Sequence, residues 1–87
     1  ALALIRKLKS ISYMPGEVVV SEGADADCMY FIAEGSLKVS FTNAQGSSIH
    51  LVDLCSGSYF GELAFLGAGV RSATVTTTSY CELERLS

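Results

Sequence analysis

In "SLKVSFT" (36–42), Leu37, Val39 and Phe41 alternate with Ser36, Lys38, Ser40 and Thr42. A period of two over seven residues predicts a strand with one buried and one wet face. Similar runs recur as "EVVVS", "CMYFIAE", "SIHLVDL", "SATVTTTS" and "YCELERL". The "TVTTT" portion is β-branched throughout, a poor helix and a good strand. Gly16, Gly23, Gly35, Gly46 and Gly57 punctuate these runs at gaps of 7 to 12 residues. "AEGS" at 33–36 reads as a tight turn and "NAQGS" at 43–47 as a longer loop, both joining antiparallel neighbours. Short strands at turn spacing predict an all-β roll or barrel.

Two stretches break the rhythm. "ALALIRKLKSI" spaces Leu4, Leu8 and Ile11 by four and three with Arg6, Lys7 and Lys9 between them, which predicts an amphipathic helix over 1–12 ended by "MPG". "GELAFLG" carries good helix formers between Gly61 and Gly67, room for little more than one helical turn.

The 87 residues allow one small domain, and 49% hydrophobic against 17% charged residues can furnish a core. So apolar a composition in so short a chain points to surface covered by segments of a larger protein. The net charge of −3 argues against a nucleic-acid partner held by a basic field. Cys28, Cys55 and Cys81 have neither CxxC nor disulfide spacing, which fits a reducing compartment and a cytoplasmic location. No apolar run reaches the length of a membrane span, so direct membrane insertion is not expected.

The candidate chemistry lies in "SYFGELAFLGAGVRSATV" (58–75), where Glu62 and Arg71 interrupt an otherwise apolar stretch. They could form a structural ion pair or share an anionic ligand. A helix starting after Gly61 would offer free N–H groups and a partly positive end to a phosphate. Arg71 would add a planar fork matched to two phosphate oxygens. A carboxylate beside a phosphate makes sense if the ligand also presents a hydroxyl, as a ribose does.

With "MPGEVVVSEG", "CMYFIAEGSLKV", "GSYFGE" and "YCELERLS" around it, this stretch resembles the phosphate-binding cassette of cyclic nucleotide-binding domains. The resemblance covers nearly the whole chain. It implies an antiparallel β-roll (a double-stranded jelly roll) with an N-terminal helix and a short cassette helix. It further implies one domain over 1–87, with the roll at 16–87 and the cassette at 60–73, lacking the family's C-terminal lid helix. By the same resemblance Glu62 takes the ribose hydroxyl and Arg71 the cyclic phosphate. Phe60, Gly61, Leu63 and Ala64 line the cassette, Ser72 follows the arginine, and Val52 and Leu54 touch the purine. The implied ligand is cAMP or cGMP, with no other cofactor.

Val70 stands where kinase-type cassettes place a proline, and the overall likeness is greatest to cyclic nucleotide-regulated cation channels. That implies a channel pore as effector in a tetrameric parent; a kinase or transcription-factor module is the alternative. The rival of another class is a ligand-independent assembly domain whose charged pair is structural.

The remaining polar residues offer little chemistry. His50 is the single histidine, too few for a His-cluster metal site or an oriented Ser–His arrangement with Ser58, Ser72 or Ser79. It is expected to be an ordinary strand side chain, with Phe41 and the cysteines as packing residues. No catalytic residue and no enzyme activity are expected.

Overall fold

The computed structural model describes residues 7–62 and 69–87. Among these residues eight strands form in chain order: β1 (Leu8–Tyr13), β2 (Val18–Val20), β3 (Met29–Glu34), β4 (Ser36–Thr42), β5 (Ser48–Cys55), β6 (Tyr59–Phe60), β7 (Thr74–Thr77) and β8 (Cys81–Leu86). They make two four-stranded antiparallel sheets, ordered β1-β8-β3-β6 and β2-β7-β4-β5. Every run read as a strand contains one. The core collects their inward residues Val20, Tyr30, Ile32, Leu37, Phe60, Val75, Cys81 and Leu83, with Cys28 from the loop before β3. In β8 the alternation is plain, with Cys81 and Leu83 fully buried and Glu82 and Glu84 half-exposed.

The stretch 8–12 is a correction to the expected N-terminal helix. Residues 8–13 form β1, paired along its whole length with β8. The leucine and isoleucine spacing fits a helix, but Ile11 and Tyr13 also alternate with Ser10 and Ser12. β8 presents a backbone edge that must be satisfied, and pairing there satisfies it. Ser10 and Ser12 donate to the carboxylates of Glu84 and Glu82 at 2.8 and 3.0 Å, ties a helix could not make. Just before β1 and just after β8, the backbones of Lys7 and Ser87 hydrogen-bond to each other in both directions. Residues 1–6, the rest of the expected helix, lie outside the described residues.

The two glycine turns differ. "NAQGS" is a hairpin loop between paired β4 and β5, with the Asn43 side chain accepting from the N–H groups of Gln45 and Ser47. "AEGS" is not a hairpin, because β3 and β4 belong to different sheets. It is a corner, and Gly35 turns it at φ 107° with no space for a side chain. A Cβ there would lie 2.5 Å from the Tyr80 carbonyl oxygen and 2.6 Å from Cys81 Sγ. Among the described residues no helix is long and apolar enough to cross a membrane.

Candidate ligand-binding site

β6 is only two residues long, yet it fixes the site. Tyr30 and Phe60 are register partners, and their rings stack at 5.0 Å with 16° between the planes. This stack anchors Phe60 in the core and sets where the chain leaves toward Gly61 and Glu62. Gly61 adopts φ 84°, which favours glycine, and it also lies tight against its neighbours. A Cβ on it would lie 2.6 Å from Arg71 Nη1 and 3.0 Å from the Cys28 carbonyl oxygen.

Arg71 is only 8% exposed. Its Nη2 donates to the Cys28 carbonyl at 2.7 Å and lies 3.5 Å from the Cys28 thiol. The backbone around it is tied to the β2–β3 loop. Arg71 N–H donates to the Ala24 carbonyl, Gly23 N–H to the Arg71 carbonyl, and Ala26 N–H to that of Gly69. Asp25 and Val70 form a bridge in the same seam. Two backbone segments and one side-chain bond therefore hold the guanidinium.

Among the described residues no ion pair joins Glu62 to Arg71; a His50–Asp53 hydrogen bond of 2.9 Å lies elsewhere, on β5. Glu62 is exposed. Among the described residues the buried cation bonds a carbonyl and a thiol and has no carboxylate within 4 Å, an arrangement that favours an incoming anion.

The anion would arrive through a cleft of about 260 Å³ whose lining includes Phe60, Gly61, Glu62, Arg71 and Ser72. Its remaining wall is mostly apolar, with Val20, Val39, Leu54, Tyr59, Val70 and Val75. That volume is near the roughly 300 Å³ lower end of small-molecule sites, and a few polar groups on an apolar wall is their usual make-up. Arg71 and Val20 also border a second cavity of about 280 Å³, together with Asp25, Asp27 and Cys28.

The structure thus brings together Phe60, Gly61, Glu62, Arg71, Ser72 and Leu54 of the expected site. Val52, expected at the purine, is 49% exposed and is not among the residues that line the cleft. Val52 shares a face with Leu54, opposite Val39, but sits two residues further along the sheet-edge strand β5, where it stays exposed. Leu63 and Ala64, with the expected cassette helix, lie outside the described residues. Sequence reasoning missed most of the apolar wall, Val20, Val39, Tyr59, Val70 and Val75, and the acceptor Cys28. Val39 had a signal, since its place on the apolar face of β4 put it next to Leu54's strand. Tyr59, and Cys28 as the arginine's acceptor, carried no pattern that pointed to the cleft.

Burial raises the Tyr30 hydroxyl pKa well above its ordinary value, and contact with the Cys28 thiol and the nearby Tyr13 adds to the rise. Tyr13 is raised too, chiefly by burial, against a smaller lowering from its hydrogen bond with Tyr30. Both phenols stay protonated behind the arginine's acceptor.

Residues 10–87 match the family model of the cyclic nucleotide-binding domain. Over 85 residues the chain is 40% identical to the human potassium/sodium hyperpolarization-activated cyclic nucleotide-gated channel 3, covering 98% of this chain and 10% of that protein. The chain spans about a tenth of the length of the curated relatives it matches. A cAMP-bound mutant regulatory subunit of a cAMP-independent protein kinase A from Trypanosoma brucei superposes with a TM-score of 0.85 at 28% identity, over 91% of this chain and 29% of that one. The cAMP-bound EAL enzyme Bd1971 gives 0.82 at 30% identity, over 88% of this chain and 21% of the enzyme, so the same roll also occurs inside an enzyme. A buried arginine fixed beside a glycine in a half-apolar cleft, a two-sheet roll, and a sequence match over 78 positions all agree: the chain belongs to the cyclic nucleotide-binding domain family.

Proposed function

We propose that this chain is the nucleotide-sensing module of a larger protein of the cation-channel type, and that its ligand is cAMP or cGMP. The observation that carries the reading is Arg71, a buried guanidinium facing a cleft with no carboxylate clasped to it among the described residues. In this reading the cyclic phosphate completes Arg71, with N–H groups following Gly61 as further donors. Glu62, exposed on the rim, accepts from the ribose 2′-hydroxyl. Leu54 and Val39 give the purine an apolar wall, and Ser72 stands beside it with a hydroxyl. The work done is binding; no bond is made or broken.

Regulation follows from differential affinity. Ligand contacts form best in one arrangement of the cassette, so binding shifts the population toward it and passes that bias to an effector. In the channel reading the effector is a pore in a tetrameric parent, with this module on the cytoplasmic side. The channel relatives at 36–40% identity support that parent over a kinase-type one.

Titration of the 87-residue chain with cAMP and with cGMP, followed by calorimetry and heteronuclear NMR, tests this. Amide shifts should centre on Gly61–Glu62 and Arg71–Ser72 and reach Gly23 and Ala24, whose backbones bond to Arg71. A folded chain silent to both nucleotides at millimolar concentration would mark a ligand-independent assembly domain instead.

A further inference from the structure

β5 ends its sheet, and among the described residues no strand pairs with its outer edge. Ile49, Leu51 and Val52 are 37%, 55% and 49% exposed. The strand "SIHLVDLC" has neither lysine nor proline, two of the residues that usually protect such an edge. Leu51 has no partner on β4: Val39 faces Val52 and Ser40 faces His50, so Leu51 is the extra residue of a bulge. The bulge reverses the strand's alternation. Residues three apart in a regular strand face opposite sides, yet His50 Nε2 and Asp53 Oδ1 lie 2.9 Å apart. His50 and Asp53 therefore share one face, opposite Ser40 and Lys38, while Ile49, Val52 and Leu54 sit opposite Phe41, Val39 and Leu37 on the other.

We propose that β5 is a self-pairing edge, through which two copies of this chain join antiparallel over Ser48–Cys55. With Leu51 set against Val52 of the second copy, Ile49 faces its Leu54 and His50 faces its Asp53. In a regular strand this register would oppose residues from unlike faces; the bulge makes the faces agree. The twofold axis repeats every contact. Two His–Asp pairs flank an apolar centre, and no like charges meet. The charged neighbour on β4 is Lys38, opposite Asp53, and its ammonium makes no ion pair with that carboxylate among the described residues. Eight residues a side bury less than the roughly 1,000 Å² of a stable interface, so the association is weak and reversible.

Sedimentation velocity of the 87-residue chain over rising concentration reads this directly, with circular dichroism to verify the fold of each variant. The wild type should move from monomer toward twice the monomer mass. Leu51→Lys should weaken association by about tenfold or more, because a solvated ammonium would be carried into the seam. His50→Asp should weaken it similarly by setting carboxylate against carboxylate. His50→Asp with Asp53→His should restore it, since each pair is then reversed. A wild type that stays monomeric to millimolar concentration overturns self-pairing and leaves the edge to an unlike chain. So does a double swap no better than His50→Asp alone. Neither result bears on nucleotide binding, which a monomer can do.

Discussion

Arg71 serves two partners, and its substitutions should separate them. Arg71→Ala removes the proposed phosphate contact, worth roughly 2–4 kcal/mol, so affinity should fall about 30- to 1000-fold by calorimetry. It also strips the Cys28 carbonyl of its donor, so the melting temperature should drop too. Arg71→Lys keeps a charge but loses the planar fork, and should recover more stability than affinity. Undiminished binding by folded Arg71→Ala would remove the guanidinium from the ligand's partners. Glu62 is the cleaner probe, being exposed and free of Arg71. Glu62→Gln should leave the melt unchanged and narrow the preference for a cyclic ribonucleotide over its 2′-deoxy analogue, measured as a ratio of dissociation constants. Gly61→Ala combines a strained φ with a Cβ 2.6 Å from Nη1, so the guanidinium must move. Its signature should be lost affinity with roughly 1–3 kcal/mol of lost stability.

Turns and strands differ in what a substitution reveals. Gly35 is hemmed in by backbone and by the Cys81 sulfur, so Gly35→Ala cannot be absorbed by swinging a flexible side chain aside. It should cost at least about 2 kcal/mol in a denaturant melt, whereas Gly46→Ala, with open space around it, should cost only the strain of its positive φ. The glycine rhythm made both turns legible, but rhythm alone could not tell a corner from a hairpin. That distinction depends on which sheet each flanking strand joins, a long-range fact. β1 was misread for the same reason: Leu8 and Ile11 fit a helical stripe until β8 supplies an edge 70 residues away, where Ser12 meets Glu82. The charged pair of the site was legible because its residues stand out from an apolar stretch. The cleft's wall was less so, since Val39 and Leu54 look like any core residue, and nothing in the sequence separates Leu54 from Val52, which shares its face but stays exposed.

For the whole molecule, the phenols of Tyr13 and Tyr30 set an alkaline limit. Their folded pKa values lie above the ordinary value near 10, so the folded state retains protons that the unfolded chain releases. The stability they contribute is fully present below about pH 10 and is lost as pH rises through the folded values. Denaturation midpoints should be insensitive to these groups from pH 7 to about 9 and fall beyond pH 10, with the phenolate absorbance of Tyr13 and Tyr30 appearing together with unfolding. Tyr30→Phe should flatten that fall. A wild type whose tyrosines all ionise near pH 10 while still folded would contradict it.

The reciprocal bonds between Lys7 and Ser87 carry a mechanical consequence. Lys7 and Ser87 lie side by side at one corner of the roll, so a tether attached at each would pull from that corner. Tension between two such tethers would load the β1–β8 ladder like a zipper, opening it one rung at a time, rather than in shear, where all rungs resist together. A roll suspended in this way transmits orientation well and pulling force poorly.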